Sequence, residues 1–337
     1  MVVETDVVVV GAGPVGLFAV FECGMVRLKC HVVDALDSVG GQCRALYPEK
    51  PIFDIPGHPR LLAAELVERL EEQARPFAPV YHLGRRTMTL ARDTDGRWRC
   101  GLEDGTRIRA GAVIVAAGCG AFGPNRPPLD GIEAYEGRGV YYFVTRREDF
   151  RGKRVVIAGG GDSAVDWAIA LAEVAARVMV VHRRPRFRAA PESEARLKAL
   201  AASGALDLVV PYQLHRLDGE AGQLRAVEVA TLAGETRRLE ADALLAFYGM
   251  AMDLGPVGGW SLAMDGVHIA VDPATMATNL PGVFAIGDAC VYPGKLKLIL
   301  SGFAEAARAA HSARATLHPG EAVHFEYSTT SGLPALG

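Results

Sequence analysis

Twice along this chain an apolar run stops at a cluster of glycines and gives way at once to a helix-forming stretch, a pattern few folds accommodate. Residues 5–10, Thr-Asp-Val-Val-Val-Val, read as a strand buried on both faces, because its apolar residues are continuous rather than alternating. Gly11-Ala12-Gly13-Pro14-Val15-Gly16 follows, then a helical stretch through Phe21, and the next apolar run closes at Asp34. In such a unit Gly11 permits the tight turn, Gly13 lets the main chain approach a pyrophosphate, and Gly16 lets helix and strand pack closely. The pyrophosphate rests on the positive end of the helix, and a carboxylate at Asp34 suits a ribose with free hydroxyls.

The pattern returns about one domain length later. Residues 153–158 read as a strand, Gly159-Gly160-Gly161-Asp162-Ser163-Ala164 as the turn, and a helix runs on through about Ala175. Ala164 takes the place of the third glycine, which this turn tolerates. The next strand, 178–181, leads into His182-Arg183-Arg184-Pro185-Arg186-Phe187-Arg188, where the first unit has its acid. An acid there repels a 2′-phosphate, whereas guanidinium groups hold one by paired hydrogen bonds. The second site is therefore expected to select NADP(H), through Gly159, Gly161, Asp162, Ser163, His182, Arg183, Arg184 and Arg188. The bland alternative for the charge run is a solvated basic loop.

A third signal lies at 278–289, Thr-Asn-Leu-Pro-Gly-Val-Phe-Ala-Ile-Gly-Asp-Ala, read as a turn, a short strand and Gly287-Asp288, with a helix beginning near Lys297. The run 113–118 reads as the strand that leaves the first half of the first domain. The expected fold class is α/β: two Rossmann-like, three-layer dinucleotide-binding domains, the second inserted in the first. Boundaries fall at 1–117 with 250–319 for the outer domain, 118–249 for the inserted one, and 320–337 for a C-terminal tail.

A chain of 337 residues, 50% hydrophobic and 22% charged, has the length and core for two such domains. The net charge of −3 gives no global attraction to nucleic acid, although local basic patches remain possible on such a chain. The start, MVVETDVVVV, lacks the basic end and cleavage site of a signal peptide, and no apolar run nears the roughly 20 residues of a membrane span. A cytoplasmic location is expected. Cys23, Cys30, Cys43, Cys100, Cys119 and Cys290 form no C-x-x-C pair and no zinc pattern with histidine, so they read as reduced thiols and no metal site is expected.

In order, the motifs GAGPVG, GGQC, VIVAAG, GGGDSA, HRRPRFR and AIGDA resemble the thioredoxin reductase superfamily over nearly the whole chain. Matching against that family places Phe143 and Arg146 where its redox-active cysteines stand, so a dithiol mechanism is not expected. The chain resembles more closely the ferredoxin–NADP reductases of the thioredoxin-reductase type. That match is carried by Gly41-Gln42, by 45–50 (ALYPEK), by 53–57 (FDIPG), by Ala121-Phe122, by Tyr142-Phe143-Val144, by 294–299 (GKLKLI) and by the tail 327–330 (YSTT). It is specific because it includes loops, which tolerate change better than core strands.

The resemblance implies FAD in the outer domain and NADPH in the inserted one. It assigns FAD contacts to Asp34, Gln42, Tyr47, Phe122, Asp288 and Thr329 beside the turn residues Gly11, Gly13, Pro14 and Gly16. A main-chain contact to adenine falls at Thr87. Tyr47 is implied to stack on one face of the flavin and Tyr327 on the other; Tyr47 alone would also suit an ordinary core aromatic. The implied reaction is hydride transfer from NADPH to flavin and single-electron release to ferredoxin or flavodoxin, with no side-chain nucleophile or base. Ferredoxins are acidic, so Arg85, Arg86, Arg146, Arg147, Arg151, Lys295 and Lys297 are candidate docking residues, or ordinary solvated side chains. A homodimer is expected from the same branch. Competing readings are an NADPH-dependent reductase of small acceptors such as quinones or ferric chelates, and a non-enzymatic redox sensor.

Overall fold

A computed structural model describes residues 2–120 and 123–321. The chain divides into two compact units, 1–122 with 252–337, and 123–251. These junctions lie a few residues beyond the 117 and 249 expected from the sequence.

The first unit is organised by a parallel sheet. The strand Val2–Val10 pairs in parallel with Cys30–Val33 on one side and with Arg107–Val115 on the other, and Val80–His82 extends the sheet beyond Cys30–Val33. The strand Arg107–Val115 changes partners along its length. Its first half runs antiparallel to Trp98–Leu102, which continues to Thr87–Arg92; its second half takes Val283–Ala285 in parallel. The segment from far along the chain thus completes the sheet begun by the N-terminus. Val7, Val8 and Val9 are fully buried, as a strand covered on both faces requires.

Helices Pro14–Met25 and Ile299–Leu317 pack together beside this sheet, and Ala63–Ala74 also packs against Pro14–Met25. The first helix runs to Met25 rather than Phe21, because its apolar face continues through the buried Cys23 and Gly24. The last helix begins at Ile299, just beyond the expected Lys297.

The second unit holds a five-stranded parallel sheet in the order Val140–Tyr141, Ala243–Ala246, Arg154–Ala158, Arg177–Val181, Asp207–Val209. The strand Arg154–Ala158 leads through the second glycine turn into the helix Asp162–Leu171. That helix ends short of the expected Ala175. Turn bonds from the Val174 and Ala175 amides to Leu171 O stop it, and the Ala176 amide then bonds Lys153 O to start the next strand. A three-stranded antiparallel sheet, Gln213–Glu220, Gln223–Ala230 and Thr236–Glu240, completes the unit.

Candidate functional site

In the first unit a cleft of about 600 Å³ opens at the carboxyl ends of the parallel strands, within the size range of small-molecule and cofactor sites. Gly11, Gly13, Pro14, Asp34, Gln42, Tyr47, Thr87 and Asp288 line it, so residues far apart in sequence converge on one space. Gly16 lies behind the turn, where a Cβ would stand 2.0 Å from Gly11 O. Phe122, Tyr327 and Thr329 lie outside the described residues.

The turn is held in place by Asp34. Its Oδ2 accepts the Ala12 amide at 2.6 Å, its Oδ1 accepts the Leu36 amide at 2.8 Å, and the Gly11 amide bonds Val33 O at 2.8 Å. Burial pushes the Asp34 carboxyl above the usual carboxylate range, against the pull of those two amides. The acid at the end of this strand is therefore a main-chain brace as well as a cleft wall.

Three observations test whether the cleft suits a dinucleotide. A Cβ at Gly13 would meet nothing within 4 Å, so the missing methyl leaves open space directly over the main chain of the turn. Two helices begin at the cleft, Pro14–Met25 behind Gly13 and Ile299–Leu317 behind Leu298, and neither has a side-chain cap on its first amides. Uncapped helix starts carry positive partial charge and unsatisfied N–H groups, which suit an anionic ligand. Finally, the Thr87 hydroxyl is buried in the cleft wall without a hydrogen-bond partner, a state that costs free energy unless a ligand supplies the missing group. The residues fit the group.

Tyr47 is half-buried, its hydroxyl 4.0 Å from the Cys43 thiol. Burial pushes the phenol well above its ordinary value, and Cys43 and Asp288 add to this, so the ring stays neutral. Burial likewise pushes the Cys43 thiol up to about 11, which leaves it protonated and unreactive. Arg85, Arg86 and Cys43 also line the cleft. The arginines are expected on a docking surface and Cys43 has no expected role, although all three lie within two residues of Gln42 or Thr87, which are expected in the cleft.

In the second unit the basic segment folds back on its glycine turn. The Arg188 amide bonds Gly160 O at 2.6 Å, and the Ala190 amide donates to Asp162 Oδ1 at 2.9 Å. Asp162 thus fastens the loop. The His182 ring packs over Gly160, where a Cβ would lie 2.2 Å from its Cε1. Burial, with Arg183, Arg188 and Arg184 nearby, lowers its pKa against a hydrogen bond that the ring donates to the main-chain carbonyl of Arg186, favouring a neutral imidazole. Arg183, Arg184 and Arg188 are exposed at this turn, as are Asp162 and Ser163. Arg184 also lines an open groove with Pro185, Arg186, Glu194 and Lys198.

One expectation needs correction. Lys295 was placed on the docking surface, yet its side chain is 5% exposed and its ammonium is paired with Glu305. Glu305, on the last helix, draws it inward, because a buried charge needs a charged partner. Five of the other basic candidates have local partners. Arg146 pairs with Asp149 at 3.0 Å, Arg147 with Glu173 at 3.0 Å, Arg151 with Glu148 at 2.6 Å and Arg85 with Asp104 at 3.1 Å. Lys297 hydrogen-bonds the His268 ring at 2.9 Å. Among the described residues no group of three or more His, Cys, Asp or Glu side chains could hold a metal ion, and no helix is long and apolar enough to cross a membrane. The six cysteines are all free thiols.

Fold and site together define an oxidoreductase-type α/β protein with two separate dinucleotide turns. The chain belongs to the pyridine nucleotide-disulphide oxidoreductase family, whose model matches residues 5–314. It is 72% identical over 331 residues to a ferredoxin–NADP reductase of Paramagnetospirillum magneticum, covering 98% of each chain. It is 59% identical to the protein of that name from Rhodospirillum rubrum, covering 99% of this chain and 97% of the other. Among solved structures it resembles the thioredoxin reductase of T. acidophilum, with a TM-score of 0.82, 22% identity, and coverage of 93% of this chain and 98% of the other. At that identity the likeness concerns the fold.

Proposed function

We propose that this chain is a ferredoxin–NADP reductase. The observation that carries the reading is 72% identity to a protein of that name across 98% of both chains. FAD, when bound, supplies the chemistry that links two-electron hydride donors to one-electron iron–sulfur acceptors.

The chain's own residues bind and orient. Gly13 admits the pyrophosphate to the start of the helix Pro14–Met25, and Asp34 faces the adenosine ribose. Thr87 gives its hydroxyl to the adenine end. Tyr47 covers one face of the ring, Asp288 hydrogen-bonds the ribityl chain, and Gln42 adds a further FAD contact. The start of the helix Ile299–Leu317 lies against the pole where negative charge gathers on reduction. The resemblance adds Phe122, Tyr327 and Thr329 to this set, all three outside the described residues. In the other unit Gly159, Gly161 and Ser163 receive the NADPH pyrophosphate. Arg183, Arg184 and Arg188 take the 2′-phosphate, while Asp162 and His182 hold the loop that carries them. On this reading residues 1–122 with 252–319 carry the FAD site and 123–251 the NADPH site. Ferredoxin or flavodoxin docks on basic side chains that include Arg146, Arg147 and Lys297, and the enzyme works as a cytoplasmic homodimer.

The test is anaerobic mixing of the yellow protein with NADPH and then with ferredoxin, flavodoxin, quinone or ferric chelate side by side, following the flavin band. Bleaching by NADPH and fast recovery with ferredoxin or flavodoxin are expected. Recovery only with the small acceptors refutes the assignment.

A further inference from the structure

Where the strand Val283–Ala285 ends, Ile286 still donates its amide to Val115 O at 2.9 Å, but the chain then leaves the sheet. Gly287 turns with φ +67°, and Asp288 follows it into the cleft wall. The main-chain groups of Gly287 have lost their sheet partners at this point and must find others. The carbonyl keeps one local partner, the Cys290 amide, and both groups also reach two buried, oppositely charged side chains. Glu305 Oε2 accepts the Gly287 amide at 2.7 Å, and Lys295 Nζ donates to Gly287 O at 2.9 Å. Lys295 Nζ is also paired with Glu305 Oε1, which accepts the Tyr292 hydroxyl at 2.7 Å. The Lys295 ammonium lies 5.4 Å over the Tyr292 ring. Side-chain exposures of 5% and 1% put both charges out of reach of bulk water.

A buried ion pair of this kind is a poor device for stability, since a well-packed apolar pair of similar volume commonly does as well or better. What the apolar pair lacks is the ability to hold both main-chain groups of one glycine. The pair joins three parts of the same cleft wall: the Gly287–Asp288 turn, the segment bearing Tyr292 and Lys295, and the helix Ile299–Leu317, whose first residue lines the cleft and whose side chain supplies Glu305.

We propose that Lys295 and Glu305 form a buried clamp on Gly287 that positions Asp288, and with it the start of the last helix, against the bound cofactor. They are positioning residues, acting through the turn. The proposal rests on reading this cleft as the FAD site.

The test compares Lys295→Met, Glu305→Gln and the double variant Lys295→Met/Glu305→Leu with the parent protein. The double variant replaces the pair by apolar groups, so it keeps the core filled where a single change strands one charge. Amide hydrogen exchange over 286–291 is measured on the cofactor-free chain, and FAD affinity and visible circular dichroism on the reconstituted one. The double variant is expected to melt near the parent temperature. It should exchange 286–291 at least about 10-fold faster and bind FAD about 10-fold more weakly, with an altered dichroism band. Glu305→Gln, which keeps an acceptor for the Gly287 amide, should fall between. A folded double variant with parental exchange, affinity and dichroism overturns the clamp. If the parent chain takes up no FAD, the cofactor reading and the positioning role fall together, and the exchange measurement then decides separately whether the pair holds the turn.

Discussion

Gly13 and Gly16, three residues apart in one turn, should fail in opposite ways when each gains a single methyl group. Gly13 has φ −70° and ψ 178°, values any residue adopts, and its added Cβ meets no atom within 4 Å. Its carbonyl bond to the Leu17 amide, 2.9 Å, is untouched. Gly13→Ala should therefore leave the cofactor-free fold intact, and restriction of the unfolded chain should stabilise it by about 0.4–1 kcal/mol. For a unit of this size that is a melting shift of roughly 1–4 °C upward.

The methyl occupies the space from which a phosphate oxygen approaches the main chain. A carbon needs about 3.5–4.0 Å where an N–H···O contact needs about 2.9 Å, so one charge-assisted hydrogen bond of roughly 1.5–3 kcal/mol is lost. FAD binding should weaken by about 10- to 100-fold. At Gly16 the same methyl would stand 2.0 Å from Gly11 O, a main-chain atom that cannot swing aside. Gly16→Ala should cost about 1–3 kcal/mol of stability without any ligand present, even with the helix propensity gained. Thermal melts of flavin-stripped protein and fluorescence titrations with FAD read the two effects separately. A Gly13→Ala protein with parental FAD affinity, or a Gly16→Ala protein with parental melting temperature, refutes the reasoning.

Thr87→Val removes the buried hydroxyl that has no protein partner; it should leave the cofactor-free protein as stable or more so while weakening FAD by about 1 kcal/mol, near 5-fold, and an unchanged dissociation constant by titration counts against the contact. Arg183→Ala and Arg184→Ala should each raise KM for NADPH by roughly 10-fold and leave NADH kinetics alone, whereas equal losses with both nucleotides refute 2′-phosphate recognition. His31 and His82 face each other with Nδ1 and Nε2 at 3.0 Å. Burial lowers the pKa of both, helped at His31 by the charge of His82 and at His82 by Arg85, with Asp104 pulling the other way. Folded-state values below the unfolded value of about 6.5 mean that their contribution to stability is complete above that pH. It is lost as pH falls and the unfolded chain takes up protons first. Urea midpoints measured from pH 7.5 to 5 should fall less steeply in His31→Asn than in the parent, and equal slopes exclude the pair as the cause.

The sequence by itself determined what depends on neighbours along the chain. Apolar continuity in residues 7–10 demands a doubly covered strand, and the spacing of Gly11, Gly13 and Gly16 follows from atoms within one turn, so the α/β class and both dinucleotide turns could be read directly. Asp34 was legible as the acid closing the first unit, but its two amide bonds to Ala12 and Leu36 were not, since they depend on the folded-back loop. The tertiary structure alone decided where charge and polarity end up. Lys295 reads in sequence like any basic loop residue, and only the packing of a helix ten residues further on places Glu305 where it can draw the ammonium inward. Thr87 and Arg86 enter the cleft because the strand Arg107–Val115 joins the local meander Thr87–Arg92 and Trp98–Leu102 to two strands from distant parts of the chain, Val2–Val10 and Val283–Ala285. Local patterns fix dihedral angles and periodicity; burial of a charge or a hydroxyl is set by whichever segments arrive from elsewhere, and a one-dimensional reading contains no distances between them.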